Sequence, residues 1–303
     1  MATSLVKLGC ALAALAVMVC ARAQTDCGMQ RAFSFQRGGK GTTWVLSSPD
    51  GSVMWTGPLA IDLDGAPNAY HPQGRSAGAL ETICNGANVR LPDGTRIQGS
   101  SDCSAMIPKF NEARDSGWTA AGKPRVEWYG VAAQGDTGEA KYKPCVQDQG
   151  PFAGFFVAQT ALLVDPARGR CDTARYANPL VTPYYVLPRA CEFQKRGFKR
   201  GDVAAVMSAT GNIAFGVYGD TGPADGLGEG SLALASQLRG QPVPARPTRD
   251  DVRSAAFGGG VTFLVFKDSD PGAPYTAERI AERGQERLKA WGGDSRLKAC
   301  SGK

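Results

Sequence analysis

Residues 201–239 read GDVAAVMSATGNIAFGVYGDTGPADGLGEGSLALASQLR. Two apolar runs, Val203 to Met207 and Ile213 to Tyr218, flank Ala209-Thr210-Gly211-Asn212. Apolar runs about a turn-forming tetrapeptide predict a tight β-hairpin. The second run ends in Asp220, and a loop of small residues then carries the chain to Glu229. Ser231 to Leu238 has the composition of a short helix, stopped by Gly240. Two carboxyl groups therefore flank one loop, one at a strand end and one at a helix start. Carboxyls held apart on a rigid frame are what acid/base cleavage of a glycosidic bond requires.

The tetrapeptide Gly219-Asp220-Thr221-Gly222 also occurs at Gly135-Asp136-Thr137-Gly138, followed by Glu139. That earlier copy leads into Lys141-Tyr142-Lys143, whereas the later one follows a buried-type strand. A rigid support is expected for the later copy alone, and Asp136 and Glu139 read as a solvated loop.

Outward from this centre the chain is read as mainly β. Thr42 to Leu46 and Val53 to Trp55 are short β-type runs joined by the turn Ser48-Pro49-Asp50-Gly51. They lead into Ile61-Asp62-Leu63-Asp64-Gly65, where alternation puts Asp62 and Asp64 on one face of a strand that can point into a cleft. The DxDG pattern matches the start of a calcium loop, but the remaining ligand positions and the closing bidentate Glu are missing, so no metal is expected. Asp62 and Asp64 capping the turn at Gly65 and Asn68 is the plain alternative. Residues 74–149 are polar and yield one strand, Arg125 to Ala132, with long connections stapled by cysteines. Phe152 to Val164 reads as a strand interrupted by Gln159 and Thr160, polar groups that need partners, and a ligand is one such partner. A Pro-bounded strand at Tyr184 to Pro188, a strand at Val261 to Phe266 and a helix over Thr276 to Trp291 complete the reading. The expected organisation is a single domain over 24–303: a β-rich N-terminal extension to about residue 150, one compact barrel over about 151–268, and a packing helix over about 276–291.

Lys7, the apolar Leu8 to Val19 and Ala21-Arg22-Ala23 match a cleavable export signal over residues 1–23. A lipoprotein signal at Cys20 would need a small residue where Val19 stands. No later stretch approaches the roughly 18 apolar residues of a membrane span. Removing Lys7 and Arg22 lowers the formal charge from +6 to +4, and with no basic run interleaved with aromatics, nucleic acid is not an expected partner. Seven cysteines remain beyond residue 23, enough for up to three disulfides in an oxidising compartment. The single histidine, His71, sits in a turn-like Tyr70-His71-Pro72 context. HExxH and multi-histidine metal centres are thereby excluded, a histidine-dependent nucleophile would need His71 itself, and hydrolysis must lean on carboxylates.

Five blocks in order resemble family 75 glycoside hydrolases, the fungal-type chitosanases: Phe156 to Leu162, Pro183 to Pro188, Gly201 to Val206, Gly216 to Gly222 and Gly228 to Ser231. Asp62-Leu63-Asp64-Gly65-Ala66 is similar to that family's DIDxDGA element. The resemblance implies endo-hydrolysis of β-1,4 glucosamine linkages with inversion, no cofactor, and catalysis by Asp220 and Glu229. The chain departs from the pattern in a short loop between these two and in Gly230, where Ala is usual. A looser similarity to double-psi β-barrel enzymes, among them family 45 endoglucanases and lytic transglycosylases, implies a double-psi β-barrel-like core with short helices.

If its strand is buried, Asp220 is partly desolvated and suits a general acid, while the helix start beside Glu229 favours an ionised base. Asp62, Asp64, Asn68, Tyr70, Gln159 and Tyr185 are the candidate substrate contacts, the carboxylates for ammonium groups and Tyr70, Tyr185 and Trp128 for stacking on sugar faces. The expected partner is a polysaccharide, chitosan or a related amino-sugar glycan, met by a secreted monomer. A non-catalytic glycan-binding module and a lytic peptidoglycan-cleaving enzyme are the alternatives.

Overall fold

A computed structural model describes residues 27–36, 41–189 and 192–302. The export signal expected at 1–23 and the seventh cysteine, Cys191, lie outside the described residues. In chain order the elements begin with β1 (Gln30–Gln36), β2 (Thr42–Ser47), β3 (Val53–Asp62), β4 (Ala87–Arg90), β5 (Arg96–Gln98), α1 (Cys103–Asp115) and β6 (Arg125–Trp128). They continue with β7 (Tyr184–Pro188), α2 (Glu192–Lys195), β8 (Val203–Met207), β9 (Ile213–Gly222), β10 (Glu229–Ser231), α3 (Leu232–Arg239), α4 (Arg249–Ala255), β11 (Phe257–Val265), α5 (Ala277–Trp291) and α6 (Gly293–Ser301).

Six strands close into a mixed barrel in the order β3-β10-β7-β9-β8-β11, with β11 returning to pair β3. The predicted hairpin is its centre: β8 and β9 pair antiparallel from Val203↔Val217 to Met207↔Ile213. The connections that put β7 beside β9 and β3 beside β10 make those two pairs parallel. One face of the staves, including Trp55, Tyr185, Val206, Tyr218 and Phe263, packs together with Leu234 and Leu238 of α3. The other, including Tyr184, Ala205, Phe215 and Leu264, is covered by Ile280, Leu288 and Trp291 of α5 and Leu297 of α6. Burying a large apolar side chain contributes about 1.5–3 kcal/mol, so these two layers supply most of the barrel's cohesion.

Two corrections to the sequence reading follow. Helix occupies 26% of the chain against 27% for strand, so the fold is mixed rather than mainly β. The barrel also takes stave β3 from residues 53–62, within the segment expected as an extension. That segment further builds a small antiparallel sheet, β5-β4-β6. Helix α1 packs on it: Asp102 caps the helix by accepting the Ala105 amide, and Met106, Phe110 and Ala113 fall on its buried face. Phe152 to Val164 forms no strand of the named sheets. Its amides are given one by one to different segments: Phe156 to Tyr70, Val157 to Cys145, Gln159 to Gly130 and Leu162 to Gly219. It is an extended thread stitched between the small sheet and the barrel.

Disulfides Cys27–Cys300, Cys84–Cys103 and Cys145–Cys171 are present, matching the expected three. Among the described residues no helix is long and apolar enough to cross a membrane.

Candidate active site

A cleft of about 370 Å³ opens where the ends of β3, β9 and β10 meet the small sheet. The barrel and its strand ends supply Asp62, Asp64, Arg189, Asp220 and Glu229, and the facing wall carries Glu81, Asn88 and Tyr129.

Asp220 is aimed by a bulge. In the β7–β9 pair Tyr185 faces Tyr218 but the next residue, Val186, faces Asp220, so Gly219 is an extra residue in β9. Bulges bend a strand and re-aim the following side chain. Glycine is required there: a Cβ would lie 2.5 Å from Tyr184 Cβ. The Gly219 carbonyl accepts the Leu162 amide at 2.8 Å, which pins the bulge. Asp220, 9% exposed, then accepts the amides of Thr221 and Ala161 on Oδ1 at 2.7 and 2.9 Å. Burial pushes its carboxyl up to about 7, with the Glu229 charge adding to the rise and the two amides and Arg200 opposing it.

Glu229 is placed by register. It lies opposite Val186 on β7 and Ala60 on β3, and Val186 lies opposite Asp220. Asp220 and Glu229 thus occupy one cross-strand row with a single stave between them, which separates their backbones by about 9–10 Å. Two residues beyond Glu229, Ser231 caps α3 by accepting the Leu234 amide, and Gly240 ends the helix in a left-handed conformation.

Asp62 and Asp64 join Asp220. Carboxylate oxygens of the three lie within 4.8 Å of one another. Asp62 accepts the Asp64 amide at 2.9 Å, and the buried Tyr70 donates to Asp64 Oδ1 at 2.6 Å. Burial first, then the neighbouring carboxylates, push Asp62 and Asp64 well above the usual carboxylate range. Like charges this close cannot all ionise, so the trio holds protons at neutral pH. Geometrically it could also hold a cation, but three carboxylates fall short of the six to eight oxygens calcium takes.

The remaining predicted contacts go elsewhere. Tyr185 is fully buried in the barrel, stacked on Tyr218 at 6.0 Å and donating its hydroxyl to the Asp202 carbonyl, so it does not face the cleft. Asn68 is buried and its carbonyl accepts the Leu80 amide. Gln159 donates to the Tyr129 carbonyl at 3.1 Å and lines a separate hollow with Trp128 and Asp136. Trp128 belongs to an aromatic cluster with Trp118 and Phe156. His71 packs edge-on to Phe155 and is outside the cleft lining. Glu81 and Asn88 escaped the sequence reading because they lie in a segment without periodicity or motif, and Tyr129 and Arg189 because they sit in or beside predicted strands whose facing only the tertiary fold decides.

A family model described as fungal chitosanase of glycosyl hydrolase group 75 matches residues 128–292. Asp220 and Glu229 fall inside the match, whereas Asp62, Asp64 and Tyr70 lie before it. A search of curated proteins finds no match. With more than half of the residues matched, and in agreement with the blocks from Phe156 to Ser231, the chain belongs to glycosyl hydrolase group 75 and is a glycoside hydrolase.

Proposed function

We propose that the protein is an exported, endo-acting chitosanase that cleaves β-1,4 glucosamine linkages with inversion, Asp220 serving as general acid and Glu229 as general base. The observation that carries this reading is the shared row: a carboxyl held near pH 7 and a second carboxyl one stave away. Inverting enzymes separate their carboxyls by about 6.5–9.5 Å to admit water, and the spacing of two strand steps is of that order. In the reaction, protonated Asp220 gives its proton to the glycosidic oxygen as the C1–O bond breaks. Glu229 takes a proton from the water that attacks C1 from the opposite face. The two carboxyls exchange protonation states, and solvent resets them.

Chitosan is favoured by the acid-rich floor. A glucosamine ammonium arriving beside Asp62 and Asp64 would be met by carboxyls that release a proton and become its counter-ions. The three disulfides suit export to an oxidising compartment. The parallel pairs β3–β10 and β7–β9 within a six-stranded barrel support the double-psi assignment.

The test is release of reducing ends from chitosan by the purified chain, with the product anomer read by proton NMR at early times. The expected first product is the α-anomer. A β-anomeric product would replace inversion with retention, and turnover of the Asp220→Asn chain at the wild-type rate would overturn the site.

A further inference from the structure

Four large apolar side chains are exposed among the described residues: Trp44, Tyr129, Val146 and Val181. The face of Trp44 is covered by the Arg31 guanidinium at 4.7 Å. Tyr129, 42% exposed, is the one of the four that lines the cleft.

Its ring is held at every polar atom of the residue. The hydroxyl donates to the Cys84 carbonyl at 2.8 Å, the amide donates to the Gly86 carbonyl at 2.9 Å, and the Tyr129 carbonyl accepts from Gln159 Nε2 at 3.1 Å. Cys84 is itself tied by its disulfide to Cys103 at the start of α1. The next residue, Gly130, passes so close under Asp64 that a Cβ there would lie 2.8 Å from Asp64 Oδ1. The fixed ring is therefore adjacent to the carboxyl trio. An apolar surface left open to water costs free energy, and this ring is both anchored and 42% exposed. A ring already immobilised loses little conformational entropy when a ligand settles on it, and the C–H face of a pyranose is the flat, partly apolar surface that an aromatic face accepts.

We infer that Tyr129 is a stacking platform that seats one pyranose ring of the polysaccharide beside Asp62, Asp64 and Asp220. This rests on the glycan-hydrolase reading given above. Because stacking senses the carbon skeleton, Tyr129 contributes to binding whether or not the sugar nitrogen is acetylated, and the carboxyl trio supplies the discrimination between the two.

Calorimetric binding of a glucosamine hexasaccharide and of its N-acetylated counterpart, in the full chain carrying Asp220→Asn to prevent turnover, tests this. Adding Tyr129→Ala is expected to weaken binding of whichever sugars the parent binds by about tenfold. Restoring the ring with Tyr129→Phe is expected to bring affinity back to within about threefold of the parent. With Asp220 intact, Tyr129→Ala should raise KM with little change in kcat. Unchanged affinity in Tyr129→Ala overturns the inference, as does a loss in Tyr129→Phe equal to that in Tyr129→Ala. A parent that binds neither sugar overturns the proposed substrate as well, which separates that failure from a failure of the platform alone.

Discussion

The chain contains the tetrapeptide Gly-Asp-Thr-Gly twice, and the two copies have opposite fates. Asp136 of the first is 76% exposed and paired with Arg170 across a surface hollow. Asp220 of the second is 9% exposed, receives two backbone amides and is pushed up to about 7. Four identical residues make a solvated ion pair in one place and a candidate general acid in the other. The difference lies in the strand beneath: β9 is paired on both sides, bulged at Gly219 and pinned by Leu162. A carboxyl acquires unusual chemistry from what removes its water, and a surface loop cannot do that.

The largest expected effect comes from replacing the two aspartates in turn. Asp220→Asn should lower kcat on chitosan by roughly 10²–10⁴, the usual worth of a general acid. Asp136→Asn should leave kcat within about twofold and stability within about 0.5 kcal/mol, as for an exposed surface pair. Reducing-end assays on both variants decide it, and equal losses would erase the distinction.

Next comes pH. The native carboxyl of Asp220 titrates near 7 while the unfolded chain's titrates near 4, so between these values the native state binds more protons. Stability is therefore fully present below about pH 4 and declines as pH rises through about 7, by roughly 2–4 kcal/mol for a group raised this far. Asp62, Asp64, Glu229 and Arg200 face the same carboxyl, and the raised Asp62 and Asp64 add to the decline in the same direction. Denaturant melts across pH 4–8 should show the slope in the wild type and a shallower one in Asp220→Asn. The alkaline limb of kcat/KM should fall above about pH 7, as the proton to be donated is lost.

The first glycines of the two copies give a smaller contrast. A Cβ at Gly219 would meet Tyr184 Cβ at 2.5 Å and Cγ at 2.6 Å, in a ring buried between the barrel and α5. A Cβ at Gly135 would meet Ala140, its Cβ at 2.8 Å and its backbone at 3.9 Å, in the partly exposed turn at Ala140–Tyr142. Gly219→Ala should cost about 1–3 kcal/mol by overpacking, and Gly135→Ala clearly less, because a surface turn can shift. Urea midpoints compare them directly.

Much of this was legible locally. The hairpin β8–β9, the helix after Glu229 with its Gly240 stop, the burial of Asp220 and the exposure of its twin all follow from runs and turns within about 40 residues of each site, whereas the sequence reading places Ser231 inside the helix it caps. What stayed hidden was non-local. β3 is a barrel stave because its partners β10 and β11 lie far along the chain. Phe152 to Val164 looks like a strand by composition but pairs residue by residue with different segments. Tyr185 and Tyr129 are both aromatic residues in β-rich sequence, and only the packing decides that the first is core and the second is rim. Helix α1 did leave a trace in the spacing of Met106, Phe110 and Ala113, obscured by Pro108 and by its polar surroundings.

The smallest and sharpest contrast is between the last glycines of the two copies, where the expected effects are crossed. Gly222 sits against Val186 and Glu229, and a Cβ would lie 3.0 Å from Val186 Cγ1 and 3.2 Å from Glu229 Oε2. Gly138 has open space around it but a backbone φ of +60°, which β-carbon-bearing residues adopt at a cost. Gly222→Ala should therefore displace the base by a few tenths of an ångström and lower kcat/KM about three- to tenfold with little loss of stability. Gly138→Ala should do the reverse, costing about 1 kcal/mol of stability with kcat/KM unchanged. Measuring both quantities on both variants tests whether the row Asp220–Val186–Glu229 is the catalytic one. If Gly222→Ala leaves kcat/KM untouched, then the position of Glu229 beside Val186 is not what the reaction depends on.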